Sequence, residues 1–478
     1  MPPSPYHNHS PRNSQTQTLT TRLKPLLILF TSIILLYFLL SHTHISQNSA
    51  TTTTPYPLST PTCIHHLVFG IASSSNSFPK RQSYINTWFH PNVTRGYVFL
   101  DENINTNNNN KKKFKSSIPR LISHDTSHFP YTFRGGLRSA IRVTRIVKEI
   151  VELNLPNVRW YVFGDDDTVF FTDNLVKTLS KYDHNKWYYI GSNSESFEQN
   201  SRYSFEMAFG GGGIVISYPL AKVLAKVLDS CLLRYAHLYG SDSRIFSCLA
   251  ELGVVLSHEP GFHQVDIRGN LFGLLSSHPL APLVSLHHLD SVEPIFPGMN
   301  RTQALEQLFS AVKVDPLRVL QQTVCYDHSK SLTISISWGY SVQVFEGNQL
   351  LPDLLPVQRT FLPWKRSLNV NSNPFTFNVK ELSRDSCQKS AIFFLENISS
   401  KTNEIQSNYS RQLFKKCPQI GILKDLEQIR VLSPKLDLDA SQFQAQRRHC
   451  CDVLSSFDKG MEIGIRPCGD EELIFMTP

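Results

Sequence analysis

The stretch Arg159-Trp160-Tyr161-Val162-Phe163-Gly164-Asp165-Asp166-Asp167-Thr168-Val169-Phe170-Phe171 decides how this chain is read. Its apolar, aromatic start has the character of a buried strand in an α/β sheet. The run stops at Gly164, delivers three carboxylates in a row, and turns apolar again at once. Three adjacent carboxylates between buried segments repel one another, and more strongly near a core. A bound divalent cation relieves that repulsion. Carboxylate oxygens suit Mg²⁺ or Mn²⁺, and such a metal shares its shell with substrate phosphates. In open α/β sheets the ligand site lies beyond the carboxyl ends of the strands, where Asp165, Asp166 and Asp167 would stand. The plainer alternative is an acidic turn at a strand end, with Asp173 capping the next helix.

The 478 residues leave room for two or three domains and a large core. A formal charge of +8 is modest at this length, and no zinc-finger or RNA-binding signature accompanies it, so nucleic acid is not an expected partner. A basic surface equally suits an anionic substrate such as a nucleotide sugar. The nine cysteines form no CxxC pair, which argues against a zinc ribbon. In an oxidising compartment they fit disulfides, with at least one thiol left over.

No acidic residue precedes Asp101, and Arg12, Arg22 and Lys24 lead into an apolar run, Leu26 to Leu40. Extended over 25–45, that run reaches the roughly 20 residues of a membrane-spanning helix. The basic flank predicts a cytoplasmic tail, 1–24, and a lumenal remainder. A signal peptide cut after Ala50 is the alternative, but no clean small-x-small site stands there. Residues 46–62, rich in Ser, Thr, Pro and His, form a stem. Four Asn-x-Ser/Thr sequons follow, at Asn92, Asn300, Asn397 and Asn408, and fit a glycosylated lumenal body.

The globular part opens with a strand, His66 to Ala72, then a serine-rich turn, then a helix carrying Lys80, Arg81 and Trp88. Such a strand, small-residue loop and helix start can receive phosphates through backbone N–H groups and a nearby cation. Apolar residues recur at helical spacing between Gly135 and Leu155. Arg138, Arg142 and Arg145 share another face of that helix, as a solvated stripe or as a positive wall near a diphosphate. Four glycines, Gly210 to Gly213, give the backbone freedom to approach a ligand, without the Lys-Ser/Thr of a Walker loop. Asp242 begins a further helix, either as part of an N-cap or facing a substrate hydroxyl. Cys231 and Cys248 flank this region as candidate disulfide partners, and Leu283 to Asp290 reads as a strand presenting His287 and His288. From about Cys325 the texture turns to short alternating strands.

Together these residues resemble a family. Trp160 to Thr168 looks like the acidic metal motif of Fringe-like β-1,3-glycosyltransferases. Phe209–Ser217, Tyr239-Gly240-Ser241-Asp242 and Ser285-Leu286-His287-His288-Leu289-Asp290 recur in the family's order. The whole chain is similar to the plant subgroup that carries a C-terminal domain of unknown function. The resemblance implies a GT-A (Rossmann-like) catalytic domain over 63–300 and a smaller, β-rich accessory region over 301–478. It further implies a single-pass type II protein of the Golgi membrane with a lumenal body. The implied reaction is inverting transfer of a sugar from a UDP-sugar donor to a glycan or glycoconjugate hydroxyl, forming a β-1,3 linkage. The implied cofactor is Mn²⁺, with Mg²⁺ as the alternative. Carried over by position, Asp167 and Asp165 are metal ligands, completed by His287 first and His288 second. Asp166, Arg81, Gly211 and Gly212 face the donor. Asp242 is the base, although the family's second adjacent acid is Ser243 here. That departure motivates a competing expectation, a UDP-sugar- or glycan-binding protein on the same scaffold without turnover. A metal-dependent phosphohydrolase, which also uses Asp-rich strand ends, is a third.

Overall fold

The computed structural model describes residues 29–37, 60–104, 118–366, 374–381, 390–401, 404–412, 422–438 and 440–474. The chain divides into two compact units, Met1–Pro61 and Thr62–Pro478. In the first, residues 29–37 are helical and their large apolar side chains are exposed. The rest of the expected span, 25–28 and 38–45, lies outside the described residues, as does most of the stem. Among the described residues no helix is long and apolar enough to cross a membrane.

The second unit is built on a mixed sheet. Its strands are β1 (Leu67–Ala72), β2 (Gly96–Leu100), β3 (Arg120–Ile122) and β4 (Trp160–Asp165). The short β5 (Val169–Phe170) leaves this sheet, and β6 (Tyr189–Gly191), β7 (Ile214–Ser217) and β8 (Leu256–His258) complete it. The spatial order is β3-β2-β1-β4-β7-β6-β8. β7 alone runs antiparallel to its neighbours. β1 and β4 are buried along almost their whole length, because helices cover both faces and every position must be apolar. From β1 the chain proceeds to β2 and β3 on one side, then crosses to β4 on the other. That reversal opens a crevice at the carboxyl ends of β1 and β4, where Ala72 pairs with Asp165.

Helix α1 (Phe78–Trp88) covers one face. Its Trp88 packs edge-on against Phe170 and tilted against Phe69, with ring centroids 5.1 and 5.0 Å apart. Helix α2 (Ser139–Glu152) covers the other face. Ile146 and Ile150 come so close to β1 that a Cβ on Gly70 would lie 3.1 and 3.2 Å from them. The arginines of this row are engaged by the protein itself. Arg138 donates to the carbonyls of Thr126, Ser127 and Phe129, and Arg142 to those of Ser73 and Phe99. Arg145 pairs with Asp229 at 2.9 Å. These guanidiniums act as cross-braces between elements. Helix α3 (Thr172–Leu179) is entered from Phe171, and Asp173 sits inside its first turn, not at its cap.

Helix α4 (Phe197–Arg202) lies in the connection to β7. Then α5 (Tyr218–Arg234) and α6 (Gly240–Glu251) join α2 in one buried apolar layer. The Cys231–Cys248 disulfide ties α5 to α6, as their flanking positions in the sequence suggest. After β8, the two-residue β9 (Phe262–His263), β10 (Ile267–Gly269) and β11 (Ser285–Leu286) follow. β11 lies between β5 and β9 in a small second sheet. The strand expected over Leu283 to Asp290 is therefore only two residues long, and His287 and His288 lie just beyond it.

Helix α7 (Arg301–Val314) leads into a β-rich C-terminal part. Its largest sheet has eight strands, starting with Gln322–Asp327 and ending with Cys450–Phe457 at the opposite edge. A Cys325–Cys451 disulfide joins those two edge strands, so the sheet curls on itself. Its inward side chains, among them Ile334, Trp338, Val344, Tyr409 and Ile463, continue the apolar core under α1 and α3. Cys450 pairs with Cys468, Cys63 is free and exposed, and Cys387 and Cys417 lie outside the described residues. The Cys325–Cys451 bridge spans 126 residues. Replacing both cysteines with Ala should cost about 2–4 kcal/mol in denaturant unfolding, read as a lower midpoint. A midpoint that stays at the wild-type value would mean the edges hold together without it.

Candidate metal and acceptor site

The acidic turn is tied down on several sides. Asp165 N–H donates to Thr168 Oγ1 (2.8 Å), and Thr168 N–H returns to the Asp165 carbonyl (3.0 Å). Thr168 Oγ1 donates to the Gly211 carbonyl (2.8 Å), and Trp88 Nε1 donates to the Thr168 carbonyl (3.1 Å). A turn held this way cannot relax to spread its charges, so Asp166 is drawn toward the β1–α1 loop while Asp165 and Asp167 share His287.

Asp166 turns toward the β1–α1 loop. It accepts from Ser73 Oγ and Ser77 Oγ, both at 2.6 Å, and from Arg81 Nη1 at 3.1 Å. Its role here is to lock that loop against the end of β4. Asp167 is 1% exposed, and its Oδ1 lies 3.1 Å from His287 Nε2 and 3.4 Å from Arg81 Nη1. Neither Asp167 oxygen has a hydrogen-bond partner, which is costly for a buried carboxylate. Asp165 Oδ2 is 3.6 Å from His287 Nε2. Ligand atoms of Asp165, Asp167 and His287 all lie within 4.8 Å of one another. Two carboxylate oxygens and an imidazole nitrogen, one carboxylate orphaned, fit a hard divalent cation such as Mn²⁺ or Mg²⁺.

The electrostatics match that geometry. Burial disfavours charge on both Asp167 and His287, yet each outweighs it for the other. Asp167, helped by Arg81, is held at about 2, and the His287 imidazole is lifted to about 9. Burial pushes the Asp165 carboxyl up, and Asp167 adds to the rise against the pull of His287. Solvent access to 43% of the Asp165 side chain limits that rise. A cation held by His287 would have to displace the proton that this raised pKa favours.

Asp242 stands in the first turn of α6, with Tyr239 at the N-cap. Burial pushes its carboxyl up, while the Gly210 backbone and Ser241 hold it down. A Cβ on Gly210 would lie 2.6 Å from Asp242 Oδ1, so the glycine makes room for the carboxylate. Gly211 does the same for His287: its Cβ would fall 2.1 Å from His287 Cε1. Gly212 is fully engaged, its N–H donating to Gln264 Oε1 (2.6 Å) and its carbonyl accepting from Ser285 Oγ. Gly211 and Gly212 thus serve the packing of the site from within, and their carbonyls, with the Gly212 N–H, are not open to a ligand. Arg81 stands between Asp166, Asp167 and Asp290, 3.0 Å from the last.

His288 stands apart from the cluster. Its backbone is left-handed (φ 51°), and it is not part of the Asp165–Asp167–His287 group. Its Nδ1 faces Asp266 Oδ1 at 3.1 Å, and its ring stacks on Trp364. The sequence did not single out Asp266, which is 3% exposed, accepts from Ser194 Oγ (2.6 Å) and adds to the rise at Asp242. Nor did it single out Asp290, which binds Arg81 and accepts from Tyr84 (2.6 Å). Beside Asp242, the rings of Phe133, Tyr239 and Tyr203 form a row, with centroids 5.3 and 5.6 Å apart. Among the sequons, Asn92, Asn300 and Asn397 are exposed. Asn300 caps α7, and Asn397 accepts from Asn408 Nδ2 (2.7 Å) across a strand pair.

The unit is thus a mixed α/β protein with a β-rich C-terminal part and an Asp-Asp-His cluster at the switch point of its sheet. The chain belongs to the family described as "Protein of unknown function, DUF604", whose profile matches residues 199–451. It is similar to a mouse (Mus musculus) protein named β-1,3-glucosyltransferase, 29% identical over 119 residues. That match covers 25% of this chain and 23% of the relative. The human (Homo sapiens) protein of the same name is 28% identical over the same shares. This chain therefore spans about a quarter of the length of the curated relatives it matches. Among solved structures, the galactosyltransferase LgtC with donor and acceptor sugar analogs aligns over 50% of this chain and 94% of its own (13% identity, TM-score 0.34). Mouse xyloside xylosyltransferase 1 aligns over 41% and 85% (8% identity, TM-score 0.25).

If the cluster is a cation site, Asp167→Asn should abolish Mn²⁺ binding measured by the loss of the free-ion EPR signal. Gly211→Ala, which drives a methyl group into His287, should weaken it by ~10-fold or more. Unchanged Mn²⁺ binding in Gly211→Ala would contradict the assignment of His287 as a ligand.

Proposed function

We propose that this protein is an inverting glycosyltransferase with a GT-A core, moving a sugar from a UDP-sugar to a hydroxyl of a glycan or glycoconjugate. The observation that carries the reading is the Asp165–Asp167–His287 cluster at the sheet switch point, with Asp242 presented separately from an adjacent helix start. A divalent cation held by Asp165, Asp167 and His287 would neutralise charge on the departing diphosphate. Arg81, already facing the same carboxylates, adds a fixed positive charge on the side of the β1–α1 loop. Asp242 takes the proton from the acceptor hydroxyl; burial makes it a stronger base than a solvated carboxylate. One base and one cation suffice for a single displacement with inversion. The row of Phe133, Tyr239 and Tyr203 offers flat apolar faces beside Asp242 on which an acceptor sugar can rest.

Similarity to the β-1,3-glucosyltransferases supports a β-1,3 linkage. We place the protein in the Golgi membrane as a type II protein of the Fringe-like plant group, using Mn²⁺. Three disulfides among the described residues and the exposed sequons Asn92, Asn300 and Asn397 support an oxidising, glycosylating compartment.

The test is UDP release from a panel of UDP-sugars, with Mn²⁺ and with EDTA. Metal-dependent release from one donor, lost in Asp167→Ala, is the expected result. Mn²⁺-dependent UDP binding without release from any donor-acceptor pair would favour a binding protein instead. Asp242→Asn should keep UDP binding while kcat falls by ~100-fold or more. Because the base works only when deprotonated, activity should fall as pH drops through the raised Asp242 range. An acid limb at the ordinary carboxylate value of about 4 would contradict that role.

A further inference from the structure

A metal-bound histidine is ordinarily oriented by a hydrogen bond from its other ring nitrogen. His287 lacks one: its Nδ1 is buried and has no hydrogen-bond partner. Beyond the contacts of its Nε2 with Asp167 and Asp165, its orientation comes from packing. Gly211 lies against one part of the ring, too close for any side chain to intervene. His288 lies against the ring as well, with centroids 3.9 Å apart and planes inclined by 32°. His288 is itself held in a left-handed conformation that a β-carbon-bearing residue rarely adopts. Such a conformation persists only where the surroundings impose it.

The His288 ring is contacted by Asp266 and, from the C-terminal part of the chain, by Trp364. The indole of Trp364 lies flat on the His288 imidazole, centroids 4.6 Å apart and planes within 10°. The backbone around Trp364 is fixed on both sides. The short strand Phe361–Pro363 pairs antiparallel with β10. Arg268 Nε donates to the carbonyls of Pro363 and Trp364, at 3.0 and 3.1 Å. Lys365 pairs with Glu198 of α4 at 2.5 Å. Trp364, His288 and His287 thus form a three-ring stack that starts in the β-rich part and ends at the metal-type cluster.

We propose that Trp364 is a positioning residue for His287, acting through His288, and that the C-terminal part of the chain thereby completes the metal site. The inference rests on the reading of Asp165, Asp167 and His287 as cation ligands. The β-rich part then has a defined role in the chemistry. Without it the stack loses its outer plate, His288 can leave its strained conformation, and His287 loses the surface that sets its ring plane.

The experiment is Mn²⁺ binding by EPR on the full chain in detergent, with thermal unfolding measured on the same samples. Trp364→Ala should weaken Mn²⁺ binding by ~10-fold or more with an unchanged unfolding midpoint, and Trp364→Phe, which can still stack, should restore most of the affinity. If Trp364→Ala also lowers the midpoint, Trp364→Leu makes the same comparison: it fills the space but cannot stack flat. Wild-type Mn²⁺ affinity in both Trp364→Ala and Trp364→Leu would overturn the inference while leaving the cation site intact. Absence of Mn²⁺ binding in the wild-type protein would overturn the cation reading itself, and this inference with it.

Discussion

The structure turns on the repulsion among three consecutive carboxylates at the end of a buried strand. Two like charges ~4 Å apart repel by about 4 kcal/mol at a dielectric typical of a protein surface. The fold answers this from three directions. Arg81 comes from the helix after β1, His287 from the end of a short strand in a second sheet, and Asp166 is drawn off by two serine hydroxyls. Even so, both oxygens of Asp167 lack a hydrogen-bond partner. His287 and Arg81 offset the charge of Asp165 and Asp167, and a divalent cation would fit between the two carboxylates and His287.

That constraint explains features far from the turn. The glycine run does not flex around a ligand. Gly210 makes room for Asp242, Gly211 for His287, and Gly212 spends its polar groups on Gln264 and Ser285. The arginine row on α2, which a charge count would assign to phosphate, braces loops and α5 instead. Among the described residues, Arg81 is the arginine that pairs directly with Asp166 and Asp167.

How much of this was legible in the sequence depends on whether a signal was local. The buried strand, the turn after Gly164, the helix bearing Arg81 and the helix with Asp242 in its first turn each follow from a continuous run of residues. So did the pairing of Cys231 with Cys248, which lie 17 residues apart on neighbouring helices. The separation of His287 from His288 was not legible, because it depends on one left-handed backbone conformation after a two-residue strand. Asp266 and Trp364 were not legible either. Neither sits in a periodic or motif-like setting, and each reaches the site through contacts set by the tertiary fold. The curled C-terminal sheet left its short strands visible, while its closure depends on a cysteine pair 126 residues apart.

The most direct measurement of the central claim is anomalous diffraction at the manganese edge from crystals grown with Mn²⁺ and UDP. The account predicts one strong peak within coordination distance, about 2.0–2.3 Å, of the Asp165 and Asp167 oxygens and the His287 nitrogen. A map with no peak among those three side chains, or with the ion bound elsewhere in the crevice, would contradict it.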